Sequence, residues 1–338
     1  MKAAVLQGPR KIEIENIPDP EVEPDGVVVK VRASGICGSD LHPYKLSITK
    51  MVLGHESSGD VVAVGRNVSH IHEGDRVAAI NIRPCGKCYW CRHERQEICT
   101  RLKWPPSPTM PGAMAEYVSI PFTRVGNYDT VVRLPDSLSY EQGATVEPLS
   151  IALFSITRAQ VQPEDTVVVL GAGMIGLCVA QVLKAIGVSR IIISGRRSKR
   201  LELARASGAD VVVDAATEDI VPVVKEVTSG AGADVVVECA GVQVTFDQAM
   251  RIVRRDGKVV MLGIFEKDVT WSPNIPINRN TTMIGCLGED FPGTVDLLAT
   301  GRADTRPFIT HEFPLDRVQE AFETQLTADG AVKVLVKP

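Results

Sequence analysis

The chain has 338 residues, of which 44% are hydrophobic, and its formal net charge is −4. This length predicts two domains, and the slightly acidic balance argues against nucleic acid as a partner. No apolar run is long enough to cross a membrane, so we expect a cytoplasmic protein without a membrane partner.

The N-terminal part of the chain alternates short strand-like segments with glycine and proline turns. Val27–Arg32 and Asp60–Val64 are examples of such segments. Runs of this kind, separated by turn residues, predict a lobe rich in β-strands. Two short blocks with metal-binding side chains, Gly35–His42 and Gly54–Glu56, belong to this lobe.

Four side chains in this half predict a metal site: Cys37, His55, Glu56 and Glu147. One thiolate, one imidazole and a carboxylate, with a position left for water, are typical of a catalytic zinc site. Zn²⁺ bound by Cys37 and one glutamate stays Lewis acidic, whereas two glutamates would weaken it. We therefore expect Glu56 and Glu147 to alternate as ligands, or one of them to act through water.

Half of the eight cysteines lie in one short segment with the spacing C-x2-C-x2-C-x7-C: Cys85, Cys88, Cys91 and Cys99. This spacing directs four thiolates at one centre and predicts a closed, structural zinc site. The alternatives are disulfides and four inert thiols. The sequence shows no signal-peptide pattern, which disfavours disulfides. A zinc ion held by four thiolates would stabilise a loop and take no part in chemistry.

The second half contains a nucleotide-binding motif. The β-branched run Thr166–Leu170 predicts a buried parallel strand, and a G-x-G-x-x-G turn and a helical run follow it directly. Such glycines let the backbone approach a pyrophosphate at the helix N-terminus. The residues expected to contact a dinucleotide here are Gly171, Gly173, Met174, Ile175 and Gly176. Further strand-like runs occur at Arg190–Ser194, Asp234–Glu238 and Lys258–Leu262.

The preferred cofactor depends on the residues after the second strand of this domain. An NAD-binding fold usually places an acidic residue there, on the ribose 2′-hydroxyl. This chain instead has Gly195, Arg196 and Arg197, with Arg200 close behind. Guanidinium groups suit phosphate oxygens, so the sequence predicts NADP in preference to NAD. The alternative is a solvated basic start to the next helix, although basic residues are unfavourable at a helix N-terminus.

Together these motifs resemble the zinc-dependent medium-chain dehydrogenase/reductase superfamily, nearest its polyol branch of sorbitol, galactitol-phosphate and threonine dehydrogenase-like enzymes. The resemblance covers nearly the whole chain and implies an α/β protein. It implies a GroES-like β-barrel catalytic domain with two zinc sites over residues 1–150 and a Rossmann domain over 151–288. Residues 289–338 would return to the catalytic domain. An aspartate is common in sorbitol dehydrogenases where this chain has Gly195.

The resemblance also implies an activity, namely hydride transfer between the cofactor and a secondary alcohol or ketone, such as a polyol, sugar alcohol or vicinal diol. Its catalytic residues would be Cys37, Ser39, His42, His55 and Glu56. Ser39 and His42 would relay the proton, and the neighbouring Asp40 would orient the ligand histidine. By analogy with the family, Trp104–Pro108 and Leu287–Phe291 would line the substrate pocket.

The family further implies a homodimer or homotetramer. Two alternative functions remain open at this point. One is a threonine-dehydrogenase-like amino-alcohol enzyme. The other is a non-catalytic NADPH-binding scaffold, which the presence of Cys37, Ser39 and His55 disfavours.

Overall fold

The computed structural model describes residues 1–47, 50–104, 107, 110–125 and 128–338. In this part of the chain the strands are β1 Lys2–Gly8, β2 Lys11–Asn16, β3 Val27–Gly35, β4 Met51–Val52, β5 Glu56–Val64, β6 Arg76–Ala79, β7 Tyr117–Ile120, β8 Arg124–Val125, β9 Tyr128–Asp129, β10 Val131–Arg133, β11 Thr166–Leu170, β12 Arg190–Gly195, β13 Val211–Asp214, β14 Ala233–Glu238, β15 Val253–Met261, β16 Thr282–Gly285, β17 Ile309–Pro314 and β18 Lys333–Lys337. The α-helices are α1 Gly38–Leu46, α2 Tyr89–Arg92, α3 Tyr140–Gly143, α4 Val146–Arg158, α5 Met174–Ala185, α6 Ser198–Ala206, α7 Ile220–Val227, α8 Gln243–Ile252, α9 Asn274–Ile277, α10 Phe291–Ala299 and α11 Val318–Thr327.

The chain divides into two compact units. The first contains residues 1–150, 289–301 and 305–338, and the second contains residues 151–288 and 302–304. The boundary near residue 150 falls inside helix α4, so no loop marks it in the sequence. Residues 302–304 were assigned to the C-terminal return segment from the sequence, but they pack with the second unit.

The first unit is built on a seven-stranded sheet with the order β10-β6-β5-β3-β18-β17, in which β7 also pairs with β3. Most of its pairs are antiparallel, and β17 and β18 are parallel. Buried valines of β3, β5 and β6 form one core, as the alternating pattern predicts. The register places Leu335 of β18 opposite Gly35 of β3, which brings the C-terminal strand beside the start of α1.

The second unit is a six-stranded sheet with the order β13-β12-β11-β14-β15-β16, and all of its pairs are parallel. Its central strands are continuous valine and isoleucine runs that are buried on both faces, as expected when helices cover a parallel sheet. The strand order reverses direction between β11 and β14, the usual place for a nucleotide. The predicted α/β class is confirmed.

No helix in the described ranges is both long enough and apolar enough to cross a membrane.

Candidate metal centres and cofactor site

The thiol of Cys37 is positioned by the beginning of helix α1. Cys37 is the N-cap residue, and its Sγ accepts a hydrogen bond from the Ser39 backbone N–H at 3.5 Å. The carboxylate of Asp40 accepts in return from the Cys37 N–H at 3.1 Å, which completes a capping box. These two hydrogen bonds fix the position of the Cys37 sulfur at the N-terminus of the helix.

His55 lies on the tight link between β4 and β5 and is only 5% exposed. Its Nδ1 is 3.6 Å from Oδ1 of Asp40, and it has no hydrogen-bond partner among the described residues. The same Asp40 oxygen accepts from the Gly54 N–H at 3.2 Å, which fixes the link. Burial by itself would lower the pKa of His55, but the charges of Asp40 and Cys37 outweigh burial and raise it well above its usual range.

Glu56 begins strand β5 and is 1% exposed. Both of its carboxylate oxygens accept hydrogen bonds from Nζ of Lys333, at 2.6 and 2.5 Å. Lys333 is itself buried and also donates to the carbonyl of Ile36. Gly35 makes room for the carboxylate, since a Cβ at that position would lie 2.0 Å from Oε2 of Glu56.

The ion pair between Lys333 and Glu56 was not predicted from the sequence. The available signal was a lysine at the start of a short apolar strand, and such a residue is usually taken for a surface cap. A buried lysine needs a partner of opposite charge, so β18 should have prompted a search for one.

Glu147 lies in the first turn of helix α4 and is 4% exposed. Its Oε2 has no hydrogen-bond partner in the described part of the chain. Burial raises the pKa of Glu147 to about 7; the charge of His55 opposes this rise and that of Glu56 adds to it. The carboxyl group of Glu147 therefore interacts electrostatically with His55 and Glu56.

Cys37, His55 and Glu56 each offer one ligand atom, and these atoms lie within 4.8 Å of one another. Glu147 is not part of this closest group. Thiolate, imidazole and carboxylate are donors that zinc accepts, and the unpartnered Oε2 of Glu147 is a buried atom that a metal ion would satisfy. The residues present therefore fit a zinc ion.

The four clustered cysteines converge as a second donor set, in which no disulfide is present. Three Sγ–Sγ distances are 4.0 Å for Cys85–Cys91, 3.5 Å for Cys88–Cys91 and 3.8 Å for Cys88–Cys99. Four sulfurs around a tetrahedral zinc are separated by about 3.8 Å. A backbone N–H hydrogen bond at Cys91 helps to lower the pKa of Cys88 to about 5, which favours a thiolate.

Ser39 and His42 both lie on helix α1, three residues apart and hence on neighbouring positions of one face. Ser39 is half-buried beside Cys37, and His42 is exposed. Trp104 is half-buried. Pro105, Pro106 and Pro108, which were expected to line the substrate pocket, lie outside the described residues.

The glycine motif lies between β11 and helix α5 in the second unit, with Gly173 as the N-cap. Gly171 has a φ of 113°, and a Cβ at Gly176 would lie 1.8 Å from the Gly171 carbonyl oxygen. Both positions therefore require glycine for the tight turn and for close helix packing. Met174 and Ile175 form the first turn of α5.

The basic segment after the second strand of this unit adjoins that turn. Gly195 is the last residue of β12, one residue beyond the predicted end of the strand at Ser194. A Cβ at Gly195 would lie 2.6 Å from Cβ of Ala172, so a side chain at this position would force a shift. Arg196 is exposed, and Arg197 is the N-cap of α6. The Nη1 of Arg200 lies 3.9 Å from the place that a Cβ on Gly173 would take.

Comparisons with known proteins agree with this fold. A family model described as "Alcohol dehydrogenase GroES-like domain" matches residues 23–135, and one described as "Zinc-binding dehydrogenase" matches residues 175–300. Sorbitol dehydrogenase of Bacillus subtilis is 33% identical, in a match that covers 100% of this chain and 97% of the relative.

Two solved structures are similar over nearly their full lengths. A zinc-binding dehydrogenase from Sinorhizobium meliloti 1021, bound to NADP, has a TM-score of 0.89 and 32% identity, covering 100% of this chain and 99% of that one. The 2R,3R-butanediol dehydrogenase of Bacillus subtilis has a TM-score of 0.86 and 32% identity, with the same coverage.

The fold and these comparisons define a zinc-dependent oxidoreductase of the alcohol dehydrogenase type. The chain belongs to the zinc-dependent medium-chain dehydrogenase/reductase family, in its polyol dehydrogenase branch. The predicted family, the GroES-like and Rossmann folds and the enzyme class are therefore confirmed.

Proposed function

We propose that this enzyme transfers a hydride between NADP(H) and the secondary alcohol or ketone carbon of a polyol or vicinal diol. The observation that carries the proposal is the donor group of Cys37, His55 and Glu56. It offers three ligand atoms where the cysteine set offers four, and a tetrahedral zinc with three protein ligands keeps a fourth position for a substrate oxygen. The similarity to sorbitol and butanediol dehydrogenases supports the substrate class.

In this proposal the first unit is the catalytic domain and carries both zinc sites, while residues 151–288 bind the cofactor. Cys85, Cys88, Cys91 and Cys99 would hold the structural ion. Cys37, His55 and one glutamate would hold the catalytic ion. When bound there, zinc supplies a Lewis acid for the substrate oxygen.

The contacts of the two glutamates favour Glu147 as the third resting ligand. Both oxygens of Glu56 are already occupied by Lys333, whereas Oε2 of Glu147 has no partner among the described residues. Ligation by Glu56 would require its ion pair with Lys333 to loosen. We therefore infer that Lys333 holds Glu56 near the metal site, and that Glu56 becomes a zinc ligand only when this ion pair loosens.

The remaining residues of the site position groups or move a proton. The capping box of α1 holds the sulfur of Cys37 in place, and Asp40 keeps the ring of His55 in place. Ser39 lies at the inner end of α1 and His42 at an exposed position on the same face. This placement suits a relay in which the proton released from the alcohol leaves through the Ser39 hydroxyl, and then the imidazole of His42 passes it to water.

A preference for NADP is supported by two features of the second unit. Position 195 has no space for the acidic side chain that an NAD enzyme uses, because Ala172 is too close. Arg196, Arg197 and Arg200 supply guanidinium groups near the glycine turn, and these suit a 2′-phosphate. The related Sinorhizobium meliloti structure also contains NADP.

We also propose that the enzyme is a homodimer or homotetramer. Strand β16 is at one end of the parallel sheet, and Met283 on that strand is 38% exposed. An exposed, partly apolar edge strand is a natural place for two copies to pair.

The test is nicotinamide absorbance with secondary alcohols, vicinal diols, sugar alcohols and L-threonine, each with NADP and with NAD. We expect turnover of diols or polyols, chiefly with NADP. Turnover chiefly with NAD would contradict the role of the arginines. If L-threonine were the best substrate, the substrate class would be amino alcohols and not polyols or diols. No turnover by zinc-replete enzyme in either direction would contradict the proposal as a whole.

A further inference from the structure

Glu238 is a buried acidic residue of the second unit for which the proposed reaction has no role. It is the last residue of strand β14, and its side chain is fully buried, at 0% exposure. Burying a carboxyl group is costly unless hydrogen bonds satisfy it. The groups that donate to Glu238 therefore show which parts of the chain this residue holds in place.

The side chain of Glu238 fixes the turn that follows β14. Its Oε1 accepts hydrogen bonds from the backbone N–H groups of Ala240 and Gly241, both at 2.9 Å. The same oxygen accepts from Oγ1 of Thr245, in the first turn of helix α8, at 2.6 Å. Its Oε2 lies 3.2 Å from the N of Gly241. The carboxyl group thus ties this turn and the start of α8 to the end of the strand.

The backbone of Glu238 fixes the segment that follows the neighbouring strand β15. Its carbonyl oxygen accepts from the N–H groups of Leu262 and Gly263, both at 2.9 Å. A Cβ on Gly263 would lie 2.3 Å from the N of Gly241 and 2.4 Å from Oε2 of Glu238. One residue therefore holds two loops in direct contact at the carboxyl edge of the sheet, where glycine allows the close approach.

The turn after β14 lies beside the glycine turn of the nucleotide site. Strands β11 and β14 are adjacent and parallel, so their carboxyl ends lie at the same edge of the sheet. The Cys239 N–H donates to the carbonyl of Leu170 at 2.9 Å, and a Cβ on Gly171 would lie 3.2 Å from the N of Ala240. A dinucleotide binds in the crevice between two such strands.

The strand order indicates which end of the cofactor reaches the loops that Glu238 holds. The order is β12-β11-β14-β15. The arginines proposed for the 2′-phosphate follow β12, and the glycine turn for the pyrophosphate follows β11, so the nicotinamide end extends over β14 and β15. Val242 and Ile264, which directly follow the two contacting glycines, are 46% and 64% exposed. Both are apolar side chains available to a ring at this edge.

We propose that Glu238 is a positioning residue that holds these two loops in the arrangement required by the nicotinamide half of the cofactor. This inference rests on the proposed function, because it takes the second unit as the cofactor-binding domain. Glu238 acts through the loops at Gly241 and Gly263 and does not itself touch the cofactor. Its loss should weaken binding of the nicotinamide half and leave the adenosine half unaffected, whereas a purely structural role would not separate the two halves.

The test measures dissociation constants by isothermal titration calorimetry for NADPH and for 2′,5′-ADP, which contains only the adenosine half. In Glu238→Leu the affinity for NADPH should fall about tenfold, because the two backbone N–H groups and the hydroxyl lose their acceptor. The affinity for 2′,5′-ADP should stay within about twofold, since its contacts are elsewhere in the site. Glu238→Gln should keep most of the NADPH affinity, because the amide oxygen can still accept from the same donors.

The matched control is Asp234→Ala, at the opposite end of the same strand. Asp234 accepts from the Thr166 N–H at 2.7 Å and pairs with Arg254 at 2.6 Å. Its loss should lower Tm without changing the ratio of the two dissociation constants. Thr245→Val removes one donor to Glu238 and should weaken NADPH binding about threefold. This variant makes the same comparison if Glu238→Leu fails to fold.

Two results would overturn the inference: an equal loss of affinity for NADPH and 2′,5′-ADP, or wild-type NADPH affinity in Glu238→Leu or, if that variant does not fold, in Thr245→Val. If the wild-type protein binds NADH and not NADPH, only the NADP preference fails, and NADH with AMP decides the inference in the same way. If the wild type binds neither dinucleotide, the proposed function fails and this inference fails with it.

Discussion

The two donor sets of the first unit use cysteine in opposite ways. In the cysteine tetrad all four ligand atoms come from one short segment and lie within 4.8 Å of one another. In the other set Cys37 precedes helix α1 while His55 and Glu56 lie at the start of β5, and charged neighbours hold two of them: Asp40 lies beside His55, and Lys333 pairs with Glu56. The comparison teaches that a closed site needs only local spacing, whereas an open, reactive site needs a surrounding structure to keep its ligands apart.

The largest effect should come from removing the thiolate of the open site. Cys37→Ser should lower kcat/KM by at least about 10³-fold, because the Lewis acid would be lost or misplaced. Circular dichroism and Tm should change little, and one zinc per chain should be missing. Cys286→Ser, a half-buried cysteine outside both sets, should retain activity. Activity within threefold of wild type in Cys37→Ser would remove Cys37 from the catalytic site.

The matching change in the closed site should affect stability instead. Cys99→Ser should destabilise the first unit by about 4 kcal/mol, because the binding energy of a structural zinc is folding energy. We expect a lower Tm and faster proteolysis within residues 85–99, measured by mass spectrometry of the fragments. An unchanged Tm together with a missing zinc would show that the tetrad has no structural role.

Lys333 distinguishes the two sites further, because this cation is buried, whereas Arg101, which donates to Sγ of Cys85 in the closed site, is exposed. Lys333→Met would leave Glu56 buried without its partner and should destabilise the protein by about 3 kcal/mol in urea unfolding. The double variant Lys333→Met with Glu56→Gln removes both charges and should recover most of that loss. A double variant as unstable as the single one would mean that the ion pair does not account for the effect.

A smaller effect is expected from the residue that orients His55. Asp40→Asn keeps the shape of the side chain but removes its charge, and it should weaken zinc binding about 10- to 100-fold. Competition with a chromogenic chelator measures this affinity, and Asp19→Asn on the surface serves as the control. An affinity equal to that of the wild type would contradict a positioning role for Asp40.

Contacts between residues close together in the sequence could be predicted, whereas contacts between residues far apart could not. The cysteine tetrad, the β11–turn–α5 motif and the capping block at Cys37 are contiguous, so spacing alone determines which atoms meet. The pairing of Lys333 with Glu56 spans 277 positions and depends on β18 lying beside β3. No local pattern encodes that register.

The cofactor site shows a different limit of prediction from sequence. The sequence shows that glycine and not an acidic residue stands at position 195, but it does not show why. Only the structure shows that Ala172 would collide with a side chain there.

Restoring an acid by Gly195→Asp alone should therefore disturb the turn, so the NADP preference is better tested by Arg196→Ala and Arg197→Ala. These variants should lower NADP selectivity about tenfold, and unchanged selectivity would contradict the arginine assignment.

We propose that one zinc ion serves as the Lewis acid in catalysis and that the other stabilises the fold. It is tested most directly by graded chelation of the wild-type enzyme, with zinc per chain, turnover of a diol with NADP, and Tm measured on each sample. We expect two zinc ions per chain at the start. Turnover should disappear as the first ion is removed and return when zinc is added, while Tm should fall only with the second. Full turnover after loss of the first ion, or a single zinc ion in the fully active enzyme, would contradict the account.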